Sequence, residues 1–208
     1  MEKFKGKYRI DSARAKWWDY NNEGYYFITI CVKNNQHLFG YVKDGVMILN
    51  EYGKIVFDCW YDLPNHYKNI VLDELCIMPN HIHCIIGVDN SKLDMACGMA
   101  LKSAIALKPV CTADQDGNAN MNANSNKEIS RDNLEGKAIK IHGVFEFIRA
   151  FKTFSSRRIN EIRDTKGTAN WQERFHDVII RDDVAYNRIK NYIINNPKKW
   201  NEDCFYKL

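Results

Sequence analysis

The sequence predicts an antiparallel α+β protein, and three observations carry that prediction. Residues 25–32 form an aromatic and β-branched run with the composition of a buried strand. Two later stretches carry hairpin signals, one around Asp44-Gly45 and one around Pro79-Asn80. Helical periodicity follows groups of strands instead of alternating with them one for one, which disfavours a parallel doubly wound sheet. A chain of 208 residues with 45% hydrophobic and 27% charged residues suits a single domain with a real core.

Taken in order, the first strand is followed by a small hairpin, Tyr41-Val42 against Met47-Ile48-Leu49. Asn50 has the character of an N-cap, and Ile55, Val56, Cys59, Trp60 and Leu63 then recur at helical spacing until Pro64. Residues 70–78 and 81–88 read as two strands flanking the Pro79-Asn80 turn. A helix over 143–163 places Phe147, Ile148, Phe151, Phe154, Ile159 and Ile162 on an apolar stripe. Residues 175–180 read as a last strand. Asp182 or Asp183 caps a helix that runs to about residue 195, where Pro197 helps to end it.

Residues 89–140 depart from this pattern. The centre, 112–126, is polar, Asn-rich and aperiodic, and buries too little apolar surface to offset the entropy of ordering it. We read 1–208 as one domain with a long polar insertion, a flexible or inserted segment at about 89–140. A short helix over 95–107 is expected to precede its centre.

Seven cysteines (31, 59, 76, 84, 97, 111 and 204) with no C-x-x-C pair argue against a disulfide framework and a four-cysteine zinc ribbon. No apolar run approaches the ~20 residues that span a bilayer, and the first residues lack a secretory apolar region, so no membrane partner and a cytoplasmic location are expected. Net charge is only +4, but from residue 136 onward there are 15 Lys+Arg against 9 Asp+Glu. That local excess suits a phosphate-bearing partner, although solvated faces show the same bias.

The chemistry concentrates in Met78-Pro79-Asn80-His81-Ile82-His83. Successive side chains of a strand point to opposite faces, so His81 and His83 share one. Two imidazoles on one rigid face make half of a divalent-metal site, or else two ordinary packed histidines. On the last helix Tyr192 and Asn196 stand four residues apart on one side. The Asn196 carbonyl oxygen is a suitable third ligand, and the Tyr192 phenol then sits beside the metal as a nucleophile for a phosphate. Tyr186 is a competing tyrosine, but its spacing to Ile189 and Ile193 puts it on the core face. A His₂Cys zinc site would use Cys76 or Cys84 instead; alternation points Cys84 away from the histidines and leaves Cys76 open.

With these residues in order along the chain, the sequence resembles the HUH single-tyrosine transposases. The branch it is most similar to is the REP-associated tyrosine transposases, which accompany repetitive extragenic palindromes. The resemblance is carried by Tyr26-Phe27-Ile28-Thr29-Ile30, Met47-Ile48-Leu49-Asn50-Glu51-Tyr52-Gly53, and Met78-Pro79-Asn80-His81-Ile82-His83. It continues through Trp171-Gln172, Phe175-His176-Asp177, Ile179-Ile180-Arg181, and Tyr192-Ile193-Ile194-Asn195-Asn196-Pro197. It implies a ferredoxin-like or RRM-like antiparallel sheet with packed helices and the histidine pair on a central strand. It also implies Mg²⁺ or Mn²⁺ at His81 and His83 with Asn196, Tyr192 as nucleophile, and single-stranded DNA with hairpins (palindromic repeats) as substrate. Val178 stands where relatives carry a further His, and the Asn-rich insertion is longer than in relatives.

Charge and position nominate Lys152, Arg157, Arg158, Arg174 and Arg181 for phosphate contacts, with Arg14, Trp17 and Trp18 adding backbone or stacking contacts. The functional expectation is metal-dependent cleavage and rejoining of single-stranded DNA next to hairpins through a covalent phosphotyrosine, as in DNA transposition or REP-like element processing. A non-cleaving DNA-hairpin-binding regulator of the same fold and a metallohydrolase that activates water are the alternatives. A homodimer is compatible with either DNA role.

Overall fold

The structure is a computed structural model, and it describes residues 15, 17–93 and 141–206. Arg14, the helix expected over 95–107 and most of the insertion expected at about 89–140 lie outside the described residues. The described part begins with β1 (Gly24–Cys31), a hairpin of β2 (Gly40–Lys43) and β3 (Val46–Leu49), and α1 (Glu51–Tyr61). There follow α2 (Leu63–His66), β4 (Ile70–Ile77), β5 (His81–Val88), α3 (Val144–Ile162), β6 (His176–Ile180) and α4 (Asp183–Asn195). A 3₁₀ segment, Pro197–Glu202, follows α4.

The main sheet has the order β4-β5-β1-β6, with every neighbouring pair antiparallel. Leaving the small hairpin and α2 aside, β1-α1-β4-β5-α3-β6 is the ferredoxin-like succession that the motifs imply. Asp44 and Gly45, at φ 52° and 72°, make the β2–β3 turn with two left-handed residues, as an Asp-Gly hairpin requires. Asn50 caps α1 by accepting from Gly53 N–H at 2.9 Å, and Asp182 caps α4 by accepting from Ala185 N–H at 2.7 Å.

The helix expected to reach Pro64 ends instead at Tyr61, and Pro64 lies in the first turn of α2. A proline in the first turn gives up an N–H that has no intrahelical partner, so it starts the second helix instead of stopping the first. The start of α3 is pinned to the segment before β1: Val144 N–H donates to Tyr20 O at 3.2 Å. A side chain at Gly143 would put its Cβ 2.4 Å from Asn21 Oδ1, so only glycine permits this approach.

The two faces of the sheet are unlike. Tyr26, Ile28 and Ile30 of β1 and Ile82, Cys84 and Ile86 of β5 pack with Val56 and Trp60 of α1 and Phe147, Ile148 and Phe151 of α3 in the main core. Aromatic rings interlock there, with Phe151 set 5.6 Å from both Trp60 and Trp171 between ring centroids. The opposite face carries a smaller cluster of Cys76, Met78, Ile85, Ile193 and Trp200, with α4 lying over β4 and β5. Because both faces are covered, every residue of β5 is buried.

Phe151 is fully buried at the centre of the aromatic cluster. Phe151→Ala is expected to lower unfolding stability by about 3–5 kcal/mol, read as a shifted urea midpoint with an unchanged slope.

Candidate metal and tyrosine site

Strand alternation sends His81, His83 and Ile85 to the α4 face and Ile82, Cys84 and Ile86 to the main core. The two histidines are 0% and 2% exposed, and their Nε2 atoms lie 3.1 Å apart. Each Nδ1 has a partner: His81 Nδ1 lies 2.8 Å from Asn80 Oδ1, and His83 Nδ1 lies 2.8 Å from Thr29 Oγ1 on β1. Phe27 stacks on the His83 ring, with centroids 5.4 Å apart.

Helix α4 brings the tyrosine. Its inner face is fixed over β4 by Tyr186, whose hydroxyl donates to Asp73, and by Lys190, which donates to the same carboxylate at 3.0 Å. Asp73 sits where the β4–β5 register shifts between Leu72 and Leu75. With Tyr186 and Ile193 turned to the sheet, Tyr192 meets Phe27 and His83 of the two central strands, and its Oη lies 3.2 Å from His83 Nε2. The Tyr192 residue is 45% exposed, so its hydroxyl joins a buried imidazole pair to solvent.

A third donor comes from beyond the helix. His81, His83 and Asp203 each offer a ligand atom within 4.8 Å of the others. The Asp203 side chain is 3% exposed, with Oδ2 placed 3.9 Å from His81 Nε2. Asn196, the expected third ligand, is also there and 3% exposed. Its Nδ2 donates to Asp203 Oδ2 at 3.1 Å, and its Oδ1 is buried without a hydrogen-bond partner among the described residues.

Two neutral nitrogens and a buried carboxylate, each with a ligand atom within 4.8 Å of the others, fit a divalent cation. Electrostatics agrees. Burial holds both imidazoles down at about 3, far below their ordinary 6.5, so they are uncharged at neutral pH. Burial, reinforced by Asp203, pushes the Tyr192 phenol up to about 12. At neutral pH the phenol therefore keeps its proton and the imidazole beside it is neutral.

One cysteine alternative resolves by face and the other by ligand spacing. Cys84 lies in the main core, its Sγ directed at Ile28 O. Cys76 pairs across strands with His83, but its Sγ contacts Met78 Sδ at 3.6 Å and burial pushes its thiol up to about 12. The one His/Cys/Asp/Glu cluster of ligand spacing among the described residues uses Asp203 instead. Tyr186 is occupied against β4, as its helical phase implies.

The basic residues are not brought together at this site. Lys152 Nζ donates to Gln172 O at 2.6 Å and Glu173 O at 2.9 Å, which turns it inward to hold the loop before β6. Arg158 lies 3.8 Å from Asp62. Arg157 is exposed and lines a groove of about 1050 Å³ between α3 and residues 164–175, with Arg149 and Lys166. Arg174 and Arg181 are exposed at either end of β6, and the Arg181 guanidinium lies 5.0 Å from the ring centroid of Trp17, which is 66% exposed. No helix among the described residues is long and apolar enough to cross a membrane.

An uncharacterized protein of Haemophilus influenzae is 32% identical over 195 residues, which are 94% of this chain and 92% of that protein. The two belong to one family. No family model matches the chain. Among solved structures, a REP-associated tyrosine transposase bound to a REP hairpin is similar over 90% of this chain and 74% of its own, with TM-score 0.47 and 15% identity. A candidate transposase of Deinococcus radiodurans is similar over 88% of this chain and 97% of its own, with TM-score 0.40 and 13% identity.

The depressed histidines give the metal-free protein a pH signature. Their folded values lie below the unfolded 6.5, so as pH falls the unfolded chain binds protons first. Their contribution is complete above about pH 6.5 and is lost progressively down to about 3. In EDTA the urea midpoint is expected to fall between about pH 7.5 and about 5, and to fall less in the double variant His81→Leu/His83→Leu. Equal slopes for the two proteins would contradict the buried, neutral assignment.

Proposed function

We propose that the protein cleaves and rejoins single-stranded DNA beside hairpins through a covalent bond between Tyr192 and a backbone phosphate. His81, His83 and Asp203, with Asn196 beside them, would hold a divalent cation, Mg²⁺ or Mn²⁺. The observation that supports this reading best is the 3.2 Å approach of the Tyr192 hydroxyl to a buried His/His/Asp cluster. The motif resemblance set out above supplies the reaction class. A cation bound there would polarise one phosphate and place positive charge beside the phenol.

The residues divide the remaining work. Tyr192 Oη forms a bond to phosphorus while one backbone P–O bond breaks. The phenolic proton goes to solvent, and the departing oxygen keeps the electron pair and takes up a proton as a free hydroxyl. The number of phosphodiester bonds is conserved, so the adduct reverses or passes to a second strand end without ATP. His81 and His83 remain uncharged and fixed on a central strand, while the half-exposed Tyr192 is open to the backbone. The exposed Arg157, Arg174, Arg181 and Trp17 are proposed contacts for more distant phosphates and bases.

Incubation with a single-stranded oligonucleotide carrying a palindromic hairpin, plus Mn²⁺, is expected to give a protein–DNA adduct on a denaturing gel. EDTA, Tyr192→Phe and His81→Ala are each expected to abolish it, whereas Tyr186→Phe retains it. Adduct from Tyr192→Phe would refute the nucleophile. Hairpin binding with no adduct at any Mn²⁺ concentration would select the non-cleaving regulator.

The third ligand has its own test. Asp203→Ala is expected to weaken Mn²⁺ binding, measured calorimetrically, more than Asn196→Ala does, because the carboxylate supplies charge and the amide mainly aims it. The reverse order would make Asn196 the ligand.

A further inference from the structure

Among the buried polar residues that the catalytic reading leaves without a role, Asn80 is the one beside His81. It is 1% exposed, in the turn between β4 and β5, and every polar atom of its side chain is engaged. Nδ2 donates to Phe205 O at 2.8 Å and to Asn35 O at 3.4 Å, while Oδ1 lies 2.8 Å from His81 Nδ1. Two carbonyl oxygens facing one end of the amide fix its orientation, since a flipped amide would set its own oxygen against both.

We propose that Asn80 is the positioning residue that assembles the cation site, by fixing the tautomer of His81 and by holding the turn that presents Asp203. The inference rests on the metal reading given above. Asn80 Oδ1 can only accept, so the proton of neutral His81 must sit on Nδ1. His81 Nε2 is then a bare lone pair, 3.1 Å from His83 Nε2 and 3.9 Å from Asp203 Oδ2. That is the tautomer a metal ligand needs, set before any metal arrives.

The other end of the amide reaches Asp203 through one residue. Phe205 gives its carbonyl to Asn80 and its N–H to Asp203 Oδ1 at 2.7 Å. With Oδ1 held by Phe205 and Oδ2 by Asn196 at 3.1 Å, both carboxylate oxygens are anchored, Oδ2 at 3.9 Å from His81 Nε2. Asn80 thus governs two of the three candidate ligands. His83 differs: Thr29 Oγ1 both donates and accepts, so its tautomer is free to adjust when a cation binds.

The test uses the full chain, ¹⁵N-labelled and metal-free, with histidine ring nitrogens read by NMR, followed by Mn²⁺ titration calorimetry. In the unsubstituted protein His81 is expected with its proton on Nδ1 and a bare Nε2. Asn80→Leu is expected to lose that tautomer preference and to raise the Mn²⁺ dissociation constant by ~10–100-fold. Asn80→Asp keeps an acceptor for His81 and sets a carboxylate against the Phe205 carbonyl. It is expected to keep the tautomer while still weakening Mn²⁺ binding.

A proton found on His81 Nε2 in the unsubstituted protein overturns the proposal without any variant. So does a normal Mn²⁺ affinity in a folded Asn80→Leu or Asn80→Asp protein. If the unsubstituted protein binds no Mn²⁺ while His81 shows the expected tautomer, the metal reading fails and the role of Asn80 in a cation site fails with it. Metal-binding failure and positioning failure therefore give different results.

Discussion

The contact between His81 Nε2 and His83 Nε2, 3.1 Å apart and shielded from water, constrains the architecture around it. Two imidazoles so placed cannot both be protonated, and burial already disfavours charging either one. Holding two uncharged rings at that depth, set edge to face, demands a strand with neighbours on both sides and cover over both faces. β5 meets the demand because β4 and β1 pair with it while α1 and α3 cover one face and α4 the other. The cost is a polar cluster, with the Asp203 carboxyl group beside it, set inside an apolar sheet.

The two faces of the sheet therefore do different work. Large interlocked rings on the α1/α3 side supply most of the apolar burial. On the α4 side the apolar cluster is small, and polar clamps do the positioning. Asp73 takes Tyr186 and Lys190, Asn196 takes Asp203, and Asn80 takes Phe205. Such contacts are directional where apolar packing is not, which suits a face where donor atoms must be held in place. Their individual net worth is modest, so the arrangement fixes geometry more than it adds stability.

What the sequence reveals of this follows from periodicity. Alternation along 81–88 places both histidines on one face and Cys84 on the other, and helical phase separates Tyr192 from Tyr186. Both assignments hold because regular strands and helices convert spacing directly into direction. Asp203 escapes such reading: it follows a 3₁₀ segment, in a stretch with no period to project it. Asn80 reads only as a turn former, because two of its three partners are backbone carbonyls far away in sequence, and a carbonyl leaves no residue signature. Lys152 misleads for the same reason. A basic side chain on an amphipathic helix looks solvated, whereas the carbonyls of Gln172 and Glu173 draw it inward.

The C-terminal end of the described chain is where local irregularity becomes chemistry. Helix α4 runs to Asn195, with Asn196 as its C-cap, and Pro197 begins a tighter 3₁₀ turn. Trp200, 6% exposed, packs beside Met78 and Ile85 and fixes where that turn lies. From there three residues suffice to bring Asp203 back under the histidines. A regular continuation of α4 would carry residue 203 roughly 10 Å further along the helix axis than Asn196, at 1.5 Å per residue, and out of ligand range. The Asn-Pro stop is thus more than a helix terminator: by ending α4 just past Tyr192 it lets the phenol, the Asn196 amide and the Asp203 carboxyl group gather beside the histidines from a single short stretch of chain.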